Sequence, residues 1–203
     1  MIFLVRCILI LSVLVFPVFT WAAEDGASSK HSGLVSGVAV DQDIKQLLVK
    51  ALFLCNFAGY VTWPEDRQSG PLVIEIFGDS QIAPLLRDIA GKRKVGDRSI
   101  EVRESSKVID PRSCHLLFIP EINKKKLKSI AKRIKSHAVL SVADVPGSAL
   151  RGEAAISFME IDGKLKFEIN QQVLADAGLR ASSHLLRLAT LADGAAGVVP
   201  SRK

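Results

Sequence analysis

Residues 50–64 read Lys-Ala-Leu-Phe-Leu-Cys-Asn-Phe-Ala-Gly-Tyr-Val-Thr-Trp-Pro, and this stretch decides the fold. It is an apolar helix that stops at Trp63-Pro64, because proline disfavours helical geometry in the residue before it. Upstream residues recur at three- and four-residue spacing, as expected of one buried helix face: Ile44, Leu48, Ala51, Cys55 and Ala58. We therefore predict a core helix over about residues 41–61, with Trp63 buried between the helix end and a sheet.

The rest of the chain alternates strands with helices. Short apolar runs predict buried strands, and Asp162-Gly163 predicts a tight hairpin. The predicted strands are 72–77, 99–104, 115–119, 138–142, 154–160 and 164–169, and the predicted helices are 82–90, 122–135, 171–177 and 182–191. This order predicts an α/β fold with a largely parallel sheet flanked by helices and a C-terminal antiparallel hairpin.

The N-terminus has the pattern of a secretory signal. Arg6 precedes an apolar run from Cys7 to Phe19, and the small residues Thr20 and Ala22 follow. The run is shorter than the roughly 20 residues that span a bilayer. We predict cleavage after Ala22 or Ala23, a periplasmic product and no stable membrane anchor. The predicted organisation is a signal peptide (1–22), a flexible leader (23–40), a single domain (41–193) and a flexible tail (194–203).

The charge is basic and is concentrated in one helix. Removal of residues 1–22 leaves 26 Lys and Arg against 21 Asp and Glu, net +5. Seven lysines and arginines crowd the polar side of the predicted helix 122–135. Such a surface could contact nucleic acid, an anionic membrane or only water. Export argues against nucleic acid, and a solvated helix face is the simplest interpretation.

Gly78-Asp79-Ser80 is the first candidate binding site. It follows a strand and opens a helix, which is where α/β proteins often hold an anion. It has one glycine and lacks the glycine set and the lysine of the nucleotide-binding motifs. An ordinary turn, with Ser80 as the helix N-cap, is the alternative.

Cysteine and histidine give no recognisable catalytic or metal constellation. Cys114-His115 lacks the partner spacings of a metal site, and no nucleophile elbow is present. We therefore predict no catalytic residues, no cofactor and no enzyme activity. A disulfide between Cys55 and Cys114 is one alternative for an exported chain; two buried free thiols are the other.

Six short motifs, in order along the chain, resemble the YfiR family of periplasmic proteins. The first is Phe-Leu-Cys-Asn-Phe-Ala before Trp-Pro at 53–64, where Cys55 stands at the family's usual tyrosine. The others are Gly-Asp-Ser at 78–80, Cys-His-x-Leu-Phe-Ile at 114–119, Leu-Ser-Val-Ala-Asp at 140–144, Gly-x-x-x-Phe-Glu-x-Asn at 163–170 and Ser-x-x-Leu-Leu-x-Leu-Ala at 182–189. The resemblance covers about residues 41–192.

The resemblance implies a non-catalytic regulator. The best-known members bind the periplasmic sensor region of a YfiN-type membrane-bound diguanylate cyclase and hold it inactive, which lowers cyclic-di-GMP and disfavours biofilm. We also expect such a regulator to have a self-association surface and to form a homodimer. A second hypothesis is a periplasmic small-ligand-binding protein of an envelope signalling or uptake system, holding an anion at residues 78–80 or an amphiphile in a groove.

The predicted partner surface is the outward face of the C-terminal strand and the helix after it. Glu168 is an isolated acid between Lys164, Lys166 and apolar neighbours, and the strand alternation places it opposite the core. Ile156 on the paired strand and Leu174 on the next helix complete the predicted surface. If Glu168 is exposed, its charge reversal should cost little stability.

Overall fold

The structure, a computed structural model, describes residues 34–106 and 110–192, with side chains from residue 42 onward. The predicted signal peptide, the start of the predicted leader and the predicted tail lie outside the described residues. Helix α1 runs from Leu34 to Gly59. It therefore begins seven residues before the predicted start, and residues 34–40 are helical where a flexible leader was predicted.

The elements after α1 follow the predicted order with small additions. They are β1 (Val61–Thr62), a 3₁₀ turn (Glu65–Arg67), β2 (Leu72–Phe77), α2 (Ile82–Gly91), β3 (Lys94–Val95), β4 (Arg98–Ser105), β5 (Leu116–Ile119), a second 3₁₀ turn (Glu121–Lys126), α3 (Leu127–Ile134), β6 (Leu140–Ala143), β7 (Ile156–Ile161), β8 (Lys164–Ile169), α4 (Gln171–Asp176), β9 (Arg180–Ala181), α5 (Ser183–Leu188) and β10 (Thr190–Leu191).

The main sheet has the order β10-β8-β7-β6-β5-β2-β4-β3. Strands β4, β2, β5, β6 and β7 are parallel, and β7 pairs antiparallel with β8. The predicted α/β fold with a C-terminal hairpin is confirmed. Asp162 and Gly163 both have positive φ, 52° and 67°, as the tight hairpin turn requires.

The C-terminal half differs from the prediction in two places. The predicted helix 122–135 is a 3₁₀ turn followed by α3, and the turn is held by Asn123, whose Nδ2 donates to the Phe77 carbonyl oxygen at 2.8 Å. The predicted helix 182–191 ends at Leu188, because the next residues form β10 beside β8. The pairing of β1 with β9 was also missed, since two-residue strands have no periodicity to detect.

The sheet is covered on both faces. We call the face that packs under α1 and α2 the α1 face; its buried strand positions in β2 and β5–β8 are all apolar. The rings of Phe53, Phe57, Phe158 and Phe167 stack and cross one another there. The opposite side, the α3 face, packs Leu117 and Ile119 against α3. By strand alternation the α3 face also carries four buried polar residues: Glu75, Ser141, Ser157 and Glu168.

Trp63 occupies the position that the sequence predicts for it. Its side chain is buried in the α1-face cluster, and its indole Nε1 donates to the Ala58 carbonyl oxygen at 3.2 Å. The ring also meets the His115 ring edge-on, with 5.4 Å between centroids. Trp63 thus joins the C-terminal end of α1 to the start of β5.

Candidate functional site

The apolar stripe of α1 is only half covered. Ala51, Cys55 and Ala58 are buried, as predicted, but Ile44 is 50% exposed and Leu48 is 41% exposed. The prediction that the whole stripe is buried is therefore wrong. Its first half lies where no other described element covers it.

Two polar contacts fix the orientation of this part of α1. Lys50 Nζ lies 2.7 Å from Asp144 Oδ2 after β6, and Gln46 Nε2 donates to Glu160 Oε2 of β7 at 3.1 Å. Val49 is also exposed, and so is Ile161 beside Glu160. We call Ile44 and Leu48, which lie four residues apart on one side of the helix, the α1 stripe. Exposed apolar residues grouped on one helix face are typical of contact surfaces.

The predicted partner surface around Glu168 is not at the surface. Glu168 is 3% exposed, Ile156 0% and Leu174 2%. The prediction that these side chains face outward is wrong. Ile156 and Leu174 belong to the α1-face cluster, and Glu168 lies on the α3 face beneath the segment 144–153.

Hydrogen bonds hold the segment 144–153 over Glu168. Ser157 Oγ donates to Glu168 Oε2 at 2.6 Å and accepts the Ala149 amide at 3.2 Å. Asn170 Nδ2 donates to the Ala149 carbonyl oxygen at 2.7 Å, and its Oδ1 caps α4 by accepting the Val173 amide. In the described part of the chain, the buried Ser148 hydroxyl beside them has no partner. Glu168 is therefore part of a buried polar cluster.

The Gly78-Asp79-Ser80 turn is closed by its neighbours. Gly78 has a positive φ of 84°, and its amide donates to the Ser105 carbonyl oxygen at 2.9 Å, so this amide is not free for an anion. A Cβ at Gly78 would lie 2.7 Å from Asn123 Nδ2. The N-cap of α2 is Gln81, and Ser80 Oγ lies 3.5 Å from the Ile82 amide nitrogen. Binding of an anion at this turn stays a prediction.

Cys55 and Cys114 are free and buried. They lie in separate clusters, Cys55 under the α1 face and Cys114 on the α3 face, so the disulfide alternative is not formed. Burial raises the pKa of Cys55 to about 11. Burial and the nearby Glu75 carboxylate raise the pKa of Cys114 to about 12. Both thiols are therefore protonated and unreactive at neutral pH.

His115 is a buried structural histidine at the start of β5. Its Nδ1 accepts the Val73 amide at 3.1 Å, and its Nε2 lies 3.2 Å from the Arg67 carbonyl oxygen and 2.9 Å from Arg98 Nη2. Burial, followed by the positive charges of Arg67 and Arg98, lowers the pKa of His115 to about 4. The neutral ring links β2, β5 and the 3₁₀ turn after Trp63.

A groove opens between α3, α4 and residues 151–153. It has a volume of about 490 Å³. Its walls include Ala131, Ile134, Val139, Val173 and Ala177, and its rim carries Lys128, Lys132, Lys135 and Arg151. The groove was not predicted from the sequence. The available signal was the spacing of Lys128, Lys132 and Lys135, which places three cations on one side of a helix together with Ala131.

No helix among the described residues is long and apolar enough to cross a membrane. Residues 34–106 and 110–192 also contain no group of three or more His, Cys, Asp or Glu side chains that could hold a metal ion.

The model of the YfiR/HmsC-like family matches residues 48–190. The match extends from the middle of α1 to the start of β10 and covers well over half of the chain. The chain therefore belongs to the YfiR/HmsC-like family, and the resemblance seen in the short motifs is confirmed. A comparison with curated proteins found no match.

Proposed function

We propose that this chain is a non-catalytic periplasmic regulator that binds the periplasmic sensor region of a membrane-bound diguanylate cyclase and represses it. Membership of the YfiR/HmsC-like family supports the class of regulator and the compartment. Repression would lower cyclic-di-GMP and biofilm formation. The partner is a protein surface, so the function requires an accessible contact region on this chain.

The α1 stripe is the observation that supports this function best. It continues the buried face of the same helix, so its residues have the spacing of core residues but lie outside the core. Burial of apolar surface contributes about 25 cal/mol per Å², which favours any partner that covers the stripe. The Glu168 cluster cannot serve directly, because a partner would first have to displace residues 144–153.

The two polar contacts beside the α1 stripe hold it in one orientation, ready for a partner to dock. Lys50 and Gln46 are held by Asp144 and Glu160, so this part of α1 is fixed to the strand ends rather than free. A fixed apolar helix face loses less conformational freedom on binding than a flexible one. We propose that an apolar patch of the sensor region packs along Ile44 and Leu48. Self-association through the same residues is the competing use of this surface.

The direct test is binding of the purified chain to the isolated periplasmic region of the cyclase encoded in the same genome. The double variant Ile44→Glu with Leu48→Glu should weaken binding at least about tenfold, which corresponds to about 1.4 kcal/mol. The matched control is Ile122→Glu with Leu150→Glu, which changes two other exposed apolar residues in the same way.

The outcomes separate the two uses of the surface. Loss of cyclase binding in the stripe variant alone supports the proposal. Equal binding by both double variants and the wild type would contradict it. If the stripe variant changes from dimer to monomer in light scattering while cyclase binding stays intact, the stripe is a self-association surface and the assignment is wrong.

A further inference from the structure

The groove between α3 and α4 has the shape and lining of a ligand site. Its volume of about 490 Å³ lies within the range of small-molecule pockets, about 300–1,000 Å³. The interior is aliphatic, with Ile134, Val139 and Val173 among its walls. A second cavity shares Ser136, Asp176 and Ala177 with it, but the other lining residues of that cavity include no large aliphatic side chain and do include Asp66, Arg67, Arg112 and His137. The first groove is the one suited to an apolar group.

The rim of the groove has an unbalanced positive charge. Glu153 forms ion pairs with Arg151, whose Nε lies 3.0 Å from Glu153 Oε2, and with Lys128, whose Nζ lies 3.7 Å from Glu153 Oε1. Asp176 accepts a hydrogen bond from Gln172 at 2.8 Å. Within the described ranges, neither Lys132 nor Lys135 forms an ion pair. The hydrogen bond from the neutral Gln172 leaves the charge of Asp176 in place, so the lining holds four cations, Lys128, Lys132, Lys135 and Arg151, against the two carboxylates of Glu153 and Asp176. Lys132 and Lys135 are the two cations beside the aliphatic interior that have no carboxylate partner among the described residues.

We propose that this groove binds a single-chain anionic amphiphile, with the alkyl chain against the aliphatic walls and the head group against Lys132 and Lys135. A carboxylate or a phosphate head would meet the same two lysines. An uncharged lipid would leave the lysines without a partner, and a purely polar anion would leave the apolar walls in water. The volume admits one alkyl chain more readily than a two-chain phospholipid.

The proposal goes beyond the proposed regulation. The groove lies by the α3 face and the proposed partner surface lies on α1, so ligand binding can be measured on the isolated chain without any cyclase. Failure of one test therefore leaves the other informative. The lysine-rich helix, whose pattern is that of a solvated face, acquires a specific role at two of its positions, Lys132 and Lys135.

The test uses the purified full-length mature chain and the fluorescent fatty-acid probe dansyl-aminoundecanoate. We expect the probe's emission to increase on binding, and we expect dodecanoate or lysophosphatidylglycerol to displace it. The stronger competitor identifies the head group, and displacement by either supports the proposal. Dodecanol, which has the chain without the charge, should compete at least about tenfold more weakly.

Variants locate the site. Lys132→Glu with Lys135→Glu should weaken probe binding about tenfold or more. The matched control, Lys125→Glu with Lys166→Glu, makes the same change in net charge at exposed positions outside the groove and should bind as the wild type does. Ala131→Trp should block the groove while melting close to wild type, since Ala131 is only half-buried.

Three results would overturn the proposal: no probe binding, equal competition by dodecanol and dodecanoate, or equal weakening in both lysine double variants. If Ala131→Trp does not fold, the two lysine variants still decide the outcome.

Discussion

The two faces of the sheet are built differently, although the same strands supply both. On the α1 face every buried position of β2 and β5–β8 is apolar, and four phenylalanine rings meet there. On the α3 face the same strands carry Glu75, Ser141, Ser157 and Glu168 among their buried residues. Strand alternation therefore separates the two faces correctly, but it does not tell which face reaches water. A second layer covers the polar side here.

From this comparison we expect side-chain truncation on the α1 face to lower the free energy of unfolding more than truncation on the α3 face. Trp63→Ala should lower the free energy of unfolding by about 3–5 kcal/mol, the usual range for a buried large aromatic side chain. It also removes the hydrogen bond to Ala58 and the contact with His115. Urea unfolding measures the loss. The control Tyr60→Ala, on a neighbouring exposed ring, should cost far less, and similar losses for the two variants would break the distinction.

The His115 junction predicts a pH dependence. The pKa of His115 is about 4 in the folded chain and 6.5 when unperturbed, so the unfolded chain binds one more proton between these values. Above pH about 6.5, His115 should not affect the free energy of unfolding. As the pH drops through this window, the free energy of unfolding should fall by about 1.4 kcal/mol per pH unit, and the total loss should be about 3 kcal/mol. Carboxylates also titrate in this pH range. The measurement therefore compares the change in free energy of unfolding with pH in the wild type with that in His115→Gln. Parallel slopes would show that His115 is not held neutral.

The buried polar cluster predicts a smaller loss on the α3 face. Glu168→Ala leaves the Ser157 hydroxyl without its acceptor and should cost about 1–3 kcal/mol, the range for an unpaired buried polar group. The exposed strand residue Glu101 supplies the control, and Glu101→Ala should change stability by less than about 0.5 kcal/mol. Denaturant unfolding of both variants measures the difference. If Glu168→Ala leaves the free energy of unfolding unchanged, Glu168 is not part of a buried cluster and is exposed, as the sequence predicted.

The α1 stripe predicts the smallest effect on stability. Ile44→Glu with Leu48→Glu should shift the free energy of unfolding by no more than about 0.5 kcal/mol per site, since exposed substitutions rarely do more. Thermal melting beside Ile122→Glu with Leu150→Glu checks this. A loss of several kcal/mol would mean that the stripe is covered within the chain itself and is unavailable to a partner.

The sequence predicted the fold because each buried strand and helix has a strong local pattern. The apolar runs at 72–77 and 115–119 gave β2 and β5, and Asp162-Gly163 gave the hairpin. The burial of Trp63 followed from its place between a core helix and a proline. The two-residue strands β1, β3, β9 and β10 were not predicted, because they exist only through their pairing partners.

The site was harder to predict because the burial of its residues depends on contacts between elements that are distant in the chain. Glu168 looks exposed in the pattern of its own strand, but the hydrogen bonds of Ser157 and Asn170 to Ala149 bring residues 144–153 over it. Ile44 and Leu48 look buried in the pattern of their helix, but their side chains are 50% and 41% exposed. The groove needs α3 and α4, which are separated in the chain by residues 135–170. Local periodicity contains none of this information.

The most direct test of the central claim is the cyclic-di-GMP concentration in cells that lack this gene. We predict that deletion raises this concentration and that the wild-type gene restores the low level. The variant Ile44→Glu with Leu48→Glu should not restore it, although it should accumulate in the periplasm as a folded protein. The matched variant Ile122→Glu with Leu150→Glu should restore the low level. An unchanged cyclic-di-GMP concentration in the deletion strain would contradict the account.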